Sequence, residues 1–337
     1  MAGSGAVSPA GWGTEPLWNA WCEKRVVATT ELLRPGWANP MQTRPVPPPP
    51  GRSSVAAHPR LRRSSPISQY AAAAAVEALG ADRTRVNAGN FRLGIILCVM
   101  SGCVNYSRRF YDETLKSPET ASPLVFPETV FNAPASHIAA LIGTRAINYT
   151  LVGDPGTFLQ GLALAADWLL ADKVDGVVVI GAEEMDWLTA DAFRLFSRGM
   201  VTSEGAGALY LKREVESDGA VALIAITDPQ IFVKTQSRAV AANRMRNQVP
   251  TSALPTILFD SQQNLAALDA AESAAWRDWS GERVSIKELL GEGLMAAAAW
   301  QCVLATQALK QKRFQVANVS VVGCNEQAIG AQFQRVG

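Results

Sequence analysis

The chain has 337 residues and a mass of 36.0 kDa, long enough for two domains of roughly 150 residues or one large one. Hydrophobic residues make up 48% and charged residues 18%, a balance that supplies a sizeable core and excludes disorder of the whole chain. Basic and acidic side chains number 31 and 30, for a net charge of +1, so no bulk field points to nucleic acid or an anionic membrane, and no apolar run is long enough to span a bilayer.

The opening MAGSGAVSPAGWG has neither a basic n-region nor an apolar h-region, so secretion by a signal peptide is not expected. Residues 35–66 stand apart: four consecutive prolines at 47 to 50 are followed by PRLRRSSP, and the stretch reads as an extended loop without ladder or helix. Its Arg60, Arg62 and Arg63 form a small basic cluster, either a solvated face or a docking patch for an acidic partner. ISQYAAAAAVEALG (67–80) is a helix ending at Gly80. FRLGIILCVMSG (91–102) is a near-continuous apolar run, as in a strand covered on both faces. NYSRRFYDETL reads as a helix, FPETVFNAPASHIAALIG (126–143) as a helix after its prolines, and INYTLVG (147–153) as a strand. PGTFLQGLALAADWLLAD (155–172) is a helix with Leu159, Leu162, Ala163, Ala166, Leu169 and Leu170 on one face. DGVVVIGAEE (175–184), EGAGALYLKR (204–213), VALIAIT (221–227), TILFDS (256–261) and VANVSVVG (316–323) are strands, with one long Ala-rich helix near 287–310 before the last. Alternation of helices with continuous apolar strands predicts an α/β architecture with a mainly parallel sheet. VVVIGAEE (177–184) and VSVVGCNE (319–326) echo each other, which points to a duplicated unit.

Five cysteines (Cys22, Cys98, Cys103, Cys302, Cys324) are odd in number and never at CxxC spacing, so neither a zinc site nor a disulfide framework is expected, and reduced thiols in a cytoplasm fit best. No metal and no cofactor are implied. The two histidines, His58 and His137, are the only pair available to any chemistry that needs one.

Several stretches together resemble the β-ketoacyl synthase family of the thiolase superfamily. GSGAVSPAGWGTEPLWNAW (3–21) resembles its opening strand and loop, and ETASPLVFPETVFNAPASHIAALIG (119–143) the segment before the nucleophile. DKVDGVVVIGAEE resembles the strand after the nucleophile helix, and EGAGALYLKR the GEGAGALVLE-type strand. KELLGEGLMAAAAWQCVLATQAL (287–309) has the frame of the KxxxGHxxxAAG helix, and VVGCNEQAIGAQF (321–333) that of the C-terminal GFGGxN turn. The resemblance implies a thiolase-like, five-layered αβαβα sandwich of two similar halves, residues 1–213 and 214–337, and usually a dimer. Met1 lies very close to the first strand motif, which points to a few upstream residues missing or trimmed. The family's reaction is a decarboxylative Claisen condensation: a cysteine at a helix N-terminus takes an acyl chain from an acyl carrier protein, and two histidines help decarboxylate malonyl carrier protein and stabilise the enolate and oxyanion.

The same resemblance places the reacting positions and finds their groups gone. TLVGDPGTFLQGL puts Pro155 at the nucleophile; proline cannot attack a thioester and has no N–H to offer an oxyanion. Locally, Asp154 suits an N-cap and Pro155 position N1 of a helix. SQQNLAALDAAE puts Ser261 at the first histidine while Asp269 and Glu272 keep the acidic pair, and Gln262, Gln263, Asn264 and Leu265 replace Gly-Thr-Gly-Thr. Glu292 falls at the second histidine, with Lys287 and Gly291 retained. Cys103 follows a strand and begins a helix, a setting for a reactive thiol, but without a nearby histidine. Cys324 falls where the family often has a gating phenylalanine, and Asn325 and Glu326 replace flexible glycines.

The resemblance therefore implies a non-catalytic, chain-length-factor-like subunit that pairs with a catalytic ketosynthase, or with itself, meets an acyl carrier protein, and shapes an acyl tunnel for which Phe158 and Cys324 are candidates. Asn132, His137, Asn148, Tyr149 and Thr150 are the dimer-contact candidates, and Arg60, Arg62 and Arg63 the candidates for carrier-protein docking. The alternatives are an acyltransferase or decarboxylase with altered chemistry, and a self-associating scaffold that holds a lipid.

Overall fold

A computed structural model describes residues 1–51, 54–214, 219–233, 235–324 and 326–336. The expected contribution of Asn325 lies outside the described residues. In chain order the first part holds β1 (Gly3–Ser8), β2 (Gly11–Trp12), α1 (Thr14–Cys22), β3 (Thr30–Leu32), β4 (Met41–Arg44), α2 (Pro66–Leu79), α3 (Asp82–Asn87), β5 (Leu93–Val99), α4 (Val104–Lys116), α5 (Ala133–Ile142), β6 (Asn148–Val152), α6 (Thr157–Leu170), β7 (Gly176–Glu183), α7 (Trp187–Phe193), β8 (Thr202–Ser203) and β9 (Gly205–Leu211). The second part holds β10 (Val221–Ile226), β11 (Gln230–Ile231), α8 (Thr235–Gln248), β12 (Thr256–Asp260), α9 (Ala266–Ala275), β13 (Glu282–Ser285), α10 (Ile286–Leu290), α11 (Met295–Lys310), β14 (Val316–Val322) and β15 (Gln327–Arg335).

The duplication hinted at by the strand echo is realised in the topology. The first sheet runs β2-β1-β9-β7-β5-β6, and the second runs β10-β15-β14-β12-β13 with β11 beside β15. From β1 and from β10 onward the order of strand types is the same: two antiparallel pairings, then two parallel ones. The echoed segments begin in β7 and β14, the equivalent central strands. Both sheets are therefore mixed, not mainly parallel. The hydrophobic pattern reports burial on two faces and carries no information on strand direction.

The middle layer explains the composition of the two central helices. Among its residues α11 leaves only Gln307 and Lys310 outside the core, because it lies between both sheets. Small residues set the approach: a Cβ on Gly207 would come within 2.6 Å of the Ala299 Cβ, and one on Gly181 within 2.4 Å of the Met295 carbonyl. Trp300, fully buried, spends its indole N–H on the carbonyls of Val7 and Ala206. With α6 beside α11, α2 and α5 outside the first sheet, and α8 and α9 outside the second, the layers are αβαβα.

Four local expectations are corrected. Residues 35–66 are not a bare loop: the proline-free MQTR forms β4, which pairs β3 and β8, and Thr43 Oγ1 donates to Thr202 O at 2.9 Å. The following segment is strapped down where Trp12 Nε1 donates to Pro47 O (2.8 Å) and Val46 N to Glu204 (3.1 Å). The Ala-rich helix near 287–310 is two helices, broken at Gly291–Leu294, where the Glu292 main chain bonds Val201 O and Ser203 N and Leu294 takes a positive φ of 52°. Leu170 is 72% exposed and does not share the α6 core face with Leu159, Leu162 and Leu169. The helix after Pro155 begins at Thr157, not at Pro155.

Candidate functional site

The family frame places Pro155 in the turn between β6 and α6. Asp154 does not cap the helix itself. Its Oδ1 accepts Gly156 N (3.0 Å), and its carboxylate also takes the main-chain and side-chain N–H of Gln327 at 3.0 and 2.6 Å. Burial is the larger influence on this carboxyl and pushes it up to about 6, against the hydrogen bonds that favour the charged form. The close approach leaves no room at Gly323, where a Cβ would come within 2.2 Å of Asp154 Oδ2. The start of α6 is thus tied to β15, and Pro155, buried, presents neither a nucleophile nor an amide donor.

Ser261, at the end of β12, is committed on both sides. Its Oγ donates to Glu272 (2.8 Å) and accepts Val322 N (3.0 Å), while its own N–H reaches Glu272 at 3.1 Å. Glu272 also accepts Ser320 Oγ, and burial raises its carboxyl to about 7. Asp269 takes the N–H groups of Gln263 (3.1 Å) and Leu265 (2.7 Å). The retained acidic pair therefore fixes the backbone of the loop in which the resembled family carries its first histidine.

Glu292 and Lys287 form a buried ion pair of 2.6 Å, and the second carboxylate oxygen accepts Leu294 N at 2.9 Å. Burial is the largest single influence and would lower the Lys287 ammonium; Glu292, with Cys324 and Glu272, together outweigh it and hold the ammonium above its ordinary value. These groups converge. Cys324 feels Glu292, Lys287, Arg238 and Asp154, and Lys287 feels Glu272. The charged groups around the three frame positions therefore lie within electrostatic reach of Cys324 and Lys287, and each is engaged by its own partner: Asp154 by Gln327, Ser261 by Glu272, and Glu292 by Lys287. Burial first, then Glu292, pushes the Cys324 thiol up to about 11.

Arg238, from the first turn of α8, is the member of this cluster that sequence reasoning missed. No motif distinguishes it among the chain's 31 basic residues; only the docking of α8 on β14 brings its Nη2 to Val322 O at 3.2 Å. Among the described residues no group of three or more His, Cys, Asp or Glu side chains is arranged to hold a metal ion.

The remaining candidates sit elsewhere. Phe158 is fully buried in α6 behind Gly181. Cys103 is the N-cap of α4 and is buried, and burial followed by the charges of Glu184, Glu128 and Glu183 raises its thiol well above the usual range. Asn148, Tyr149 and Thr150 lie on β6, the edge strand of the first sheet. Tyr149 is exposed and meets Trp168 edge-on at 5.1 Å, and Asn148 Nδ2 donates to Ala135 O at 3.2 Å. Asn132 is exposed ahead of α5, and His137 Nε2 lies 2.9 Å from Glu128. Arg60, Arg62 and Arg63 are exposed around a short 3₁₀ turn, remote in sequence from the elements of the polar cluster. Among the described residues no helix is long and apolar enough to cross a membrane.

Two similar βαβ-rich halves stacked through a middle pair of helices, with a polar cluster at their junction, define a thiolase-like ketosynthase fold. Residues 53–217 match the family described as β-ketoacyl synthase, N-terminal domain. No curated protein matches it. Among solved structures it is similar to the ishigamide ketosynthase/chain length factor, with a TM-score of 0.77, 17% identity, and coverage of 100% of this chain and 99% of that one. A type II polyketide synthase ketosynthase, solved with its acyl carrier protein and bound to the hexaketide, gives a TM-score of 0.78 at 14% identity, covering 100% and 98%. A β-ketoacyl synthase from Burkholderia phymatum gives 0.76 at 16%, covering 100% and 99%.

Proposed function

We propose that this chain is a non-catalytic, chain-length-factor-like subunit. It pairs with an active ketosynthase in fatty acid, polyketide or polyene synthesis and contributes dimer surface and part of the acyl tunnel. The observation that carries this is Pro155: the residue at the nucleophile position has no thiol and no N–H, and the neighbouring positions hold a hydroxyl and a paired carboxylate in place of imidazoles. The solved ketosynthase/chain length factor pair, similar over the whole chain, supports such a role.

The surface supports pairing. Edge strand β6 leaves one side of its backbone unpaired, and an apolar patch with exposed Tyr111, Leu115, Leu124, Phe126 and Phe131 lies on α4 and the segment after it. Arg60, Arg62 and Arg63 offer an exposed basic cluster suited to an acidic carrier protein. The ketosynthase solved with its carrier protein illustrates the kind of partner.

Co-expression with candidate ketosynthases, followed by sizing and intact-mass measurement after incubation with acyl carrier protein, tests the proposal. A stable complex in which only the partner becomes acylated is the expected result. A monodisperse monomer that binds none of them, or an acyl adduct on this chain alone, overturns it; the adduct would instead favour an acyltransferase of altered chemistry.

A further inference from the structure

We propose that Arg238 makes the emptied site a receptor for the carboxylate end of an aliphatic chain. Arg238 is 5% exposed, yet its hydrogen bonding is incomplete: Nη2 donates to Val322 O at 3.2 Å and Nε has no acceptor. Among the described residues no carboxylate lies within ion-pair distance of it, and no acidic residue stands in the first turn of α8. The positive end of that helix adds to the charge. A buried guanidinium left in this state is strongly destabilising, because its lost hydration is matched by one carbonyl and no counter-charge.

Its position ties it to the family frame. Val322 gives its carbonyl to Arg238 and its N–H to Ser261 Oγ at 3.0 Å. A strand residue directs its N–H and C=O to the same edge, so the guanidinium stands beside the position of the first lost histidine. Two residues on, Cys324 packs against an apolar cluster of Phe193, Met200, Leu268 and Leu294. The neighbouring carboxylates are already engaged: Glu292 by Lys287, Glu272 by Ser261 and Ser320, and Asp154 by Gln327. What remains is one uncompensated cation with a vacant N–H beside an apolar wall. A guanidinium fork matches the two oxygens of a carboxylate, and the wall matches an alkyl chain. A neutral ester would leave the charge as it is. The inference concerns equilibrium binding by the isolated chain and does not depend on the subunit role proposed above.

Thermal unfolding of the full chain with sub-millimolar decanoate or methyl decanoate, in wild type and Arg238→Met, decides the matter. Decanoate is expected to raise the wild-type Tm by at least about 2 °C while the ester does not. R238M is expected to unfold no lower than wild type without ligand, since an unpaired buried charge has been removed, and to lose the decanoate shift. Equal shifts from acid and ester, no shift with decanoate, or a shift that survives in R238M would overturn the assignment. The wild-type comparison of acid with ester is decisive even if R238M fails to fold.

Discussion

Lys287 Nζ lies 2.6 Å from Glu292 Oε2, with both side chains almost wholly buried at 3% and 1% exposure. By the resemblance proposed above, the pair is expected to fall at the family's lysine and second-histidine positions, where it forms a closed ionic contact. It also shapes the chain: the second oxygen of Glu292 holds Leu294 N–H in the break that separates α10 from α11.

Truncating one partner should therefore cost more than removing both. Lys287→Met leaves a buried carboxylate alone and is expected to destabilise by about 3–5 kcal/mol, whereas a K287M/E292L double variant recovers part of that loss. Urea unfolding of the single and double variants measures this. Equal losses would mean that the carboxylate matters only through Leu294 N–H.

Stability should fall as pH rises from about 5 to 8. Burial, opposed by bonds from the N–H groups of Met100 and Ser101, raises Glu183 to about 8. Burial likewise raises Glu184, which holds Ser65 Oγ, Ile67 N and Asn105 N, to about 7. A carboxyl whose folded pKa exceeds its unfolded one binds the proton more tightly when native. Its contribution is complete below the unfolded value near 4.5 and is lost as pH climbs through 7 to 8, at up to about 1.4 kcal/mol per unit for each group. Denaturation midpoints across this range should decline in wild type and decline less steeply in Glu183→Gln.

Interface formation should depend on the open side of β6. Gly153 N donates to Val99 O, so by the alternation of a parallel ladder Thr150 N–H points away from β5. Thr150→Pro removes an edge donor without touching the internal ladder. Sedimentation should show association with a partner or with itself weakened at least about tenfold, about 1.4 kcal/mol, with the monomer's circular dichroism unchanged. Unaltered association would place the interface elsewhere.

Alkylation should report the buried state of the thiols. Cys22 is exposed; Cys98, Cys103 and Cys302 are buried; Cys324 is half-buried and raised to about 11. Iodoacetamide at pH 8 should label Cys22 first and Cys324 at least about tenfold more slowly, since the thiolate is the nucleophile. Peptide mapping that finds Cys324 fastest would reveal an activated thiol in the site.

Much of the architecture was legible because each element is signalled locally. β5, β7 and β14 are buried along their whole length, and their unbroken apolar runs announce it. The helix at 67–80 ends at its glycine as read. The misreadings share a cause. Proline density around 35–66 masked the four residues of β4, and alanine density at 287–310 masked a helix break whose partners, Val201 and Ser203, come from just before and at the end of the distant β8.

Composition by itself determined that His58 and His137 are the only histidines, with no second pair elsewhere, and it is the resemblance in motif that sets Pro155, Ser261 and Glu292 at the expected reacting positions. The tertiary structure alone decided what fills the vacancy. Asp154 meets Gln327 across 173 residues, and Arg238 meets Val322 across 84. Contacts at such separations depend on how the sheets and helices dock, whereas side-chain periodicity encodes only which face of each element is buried.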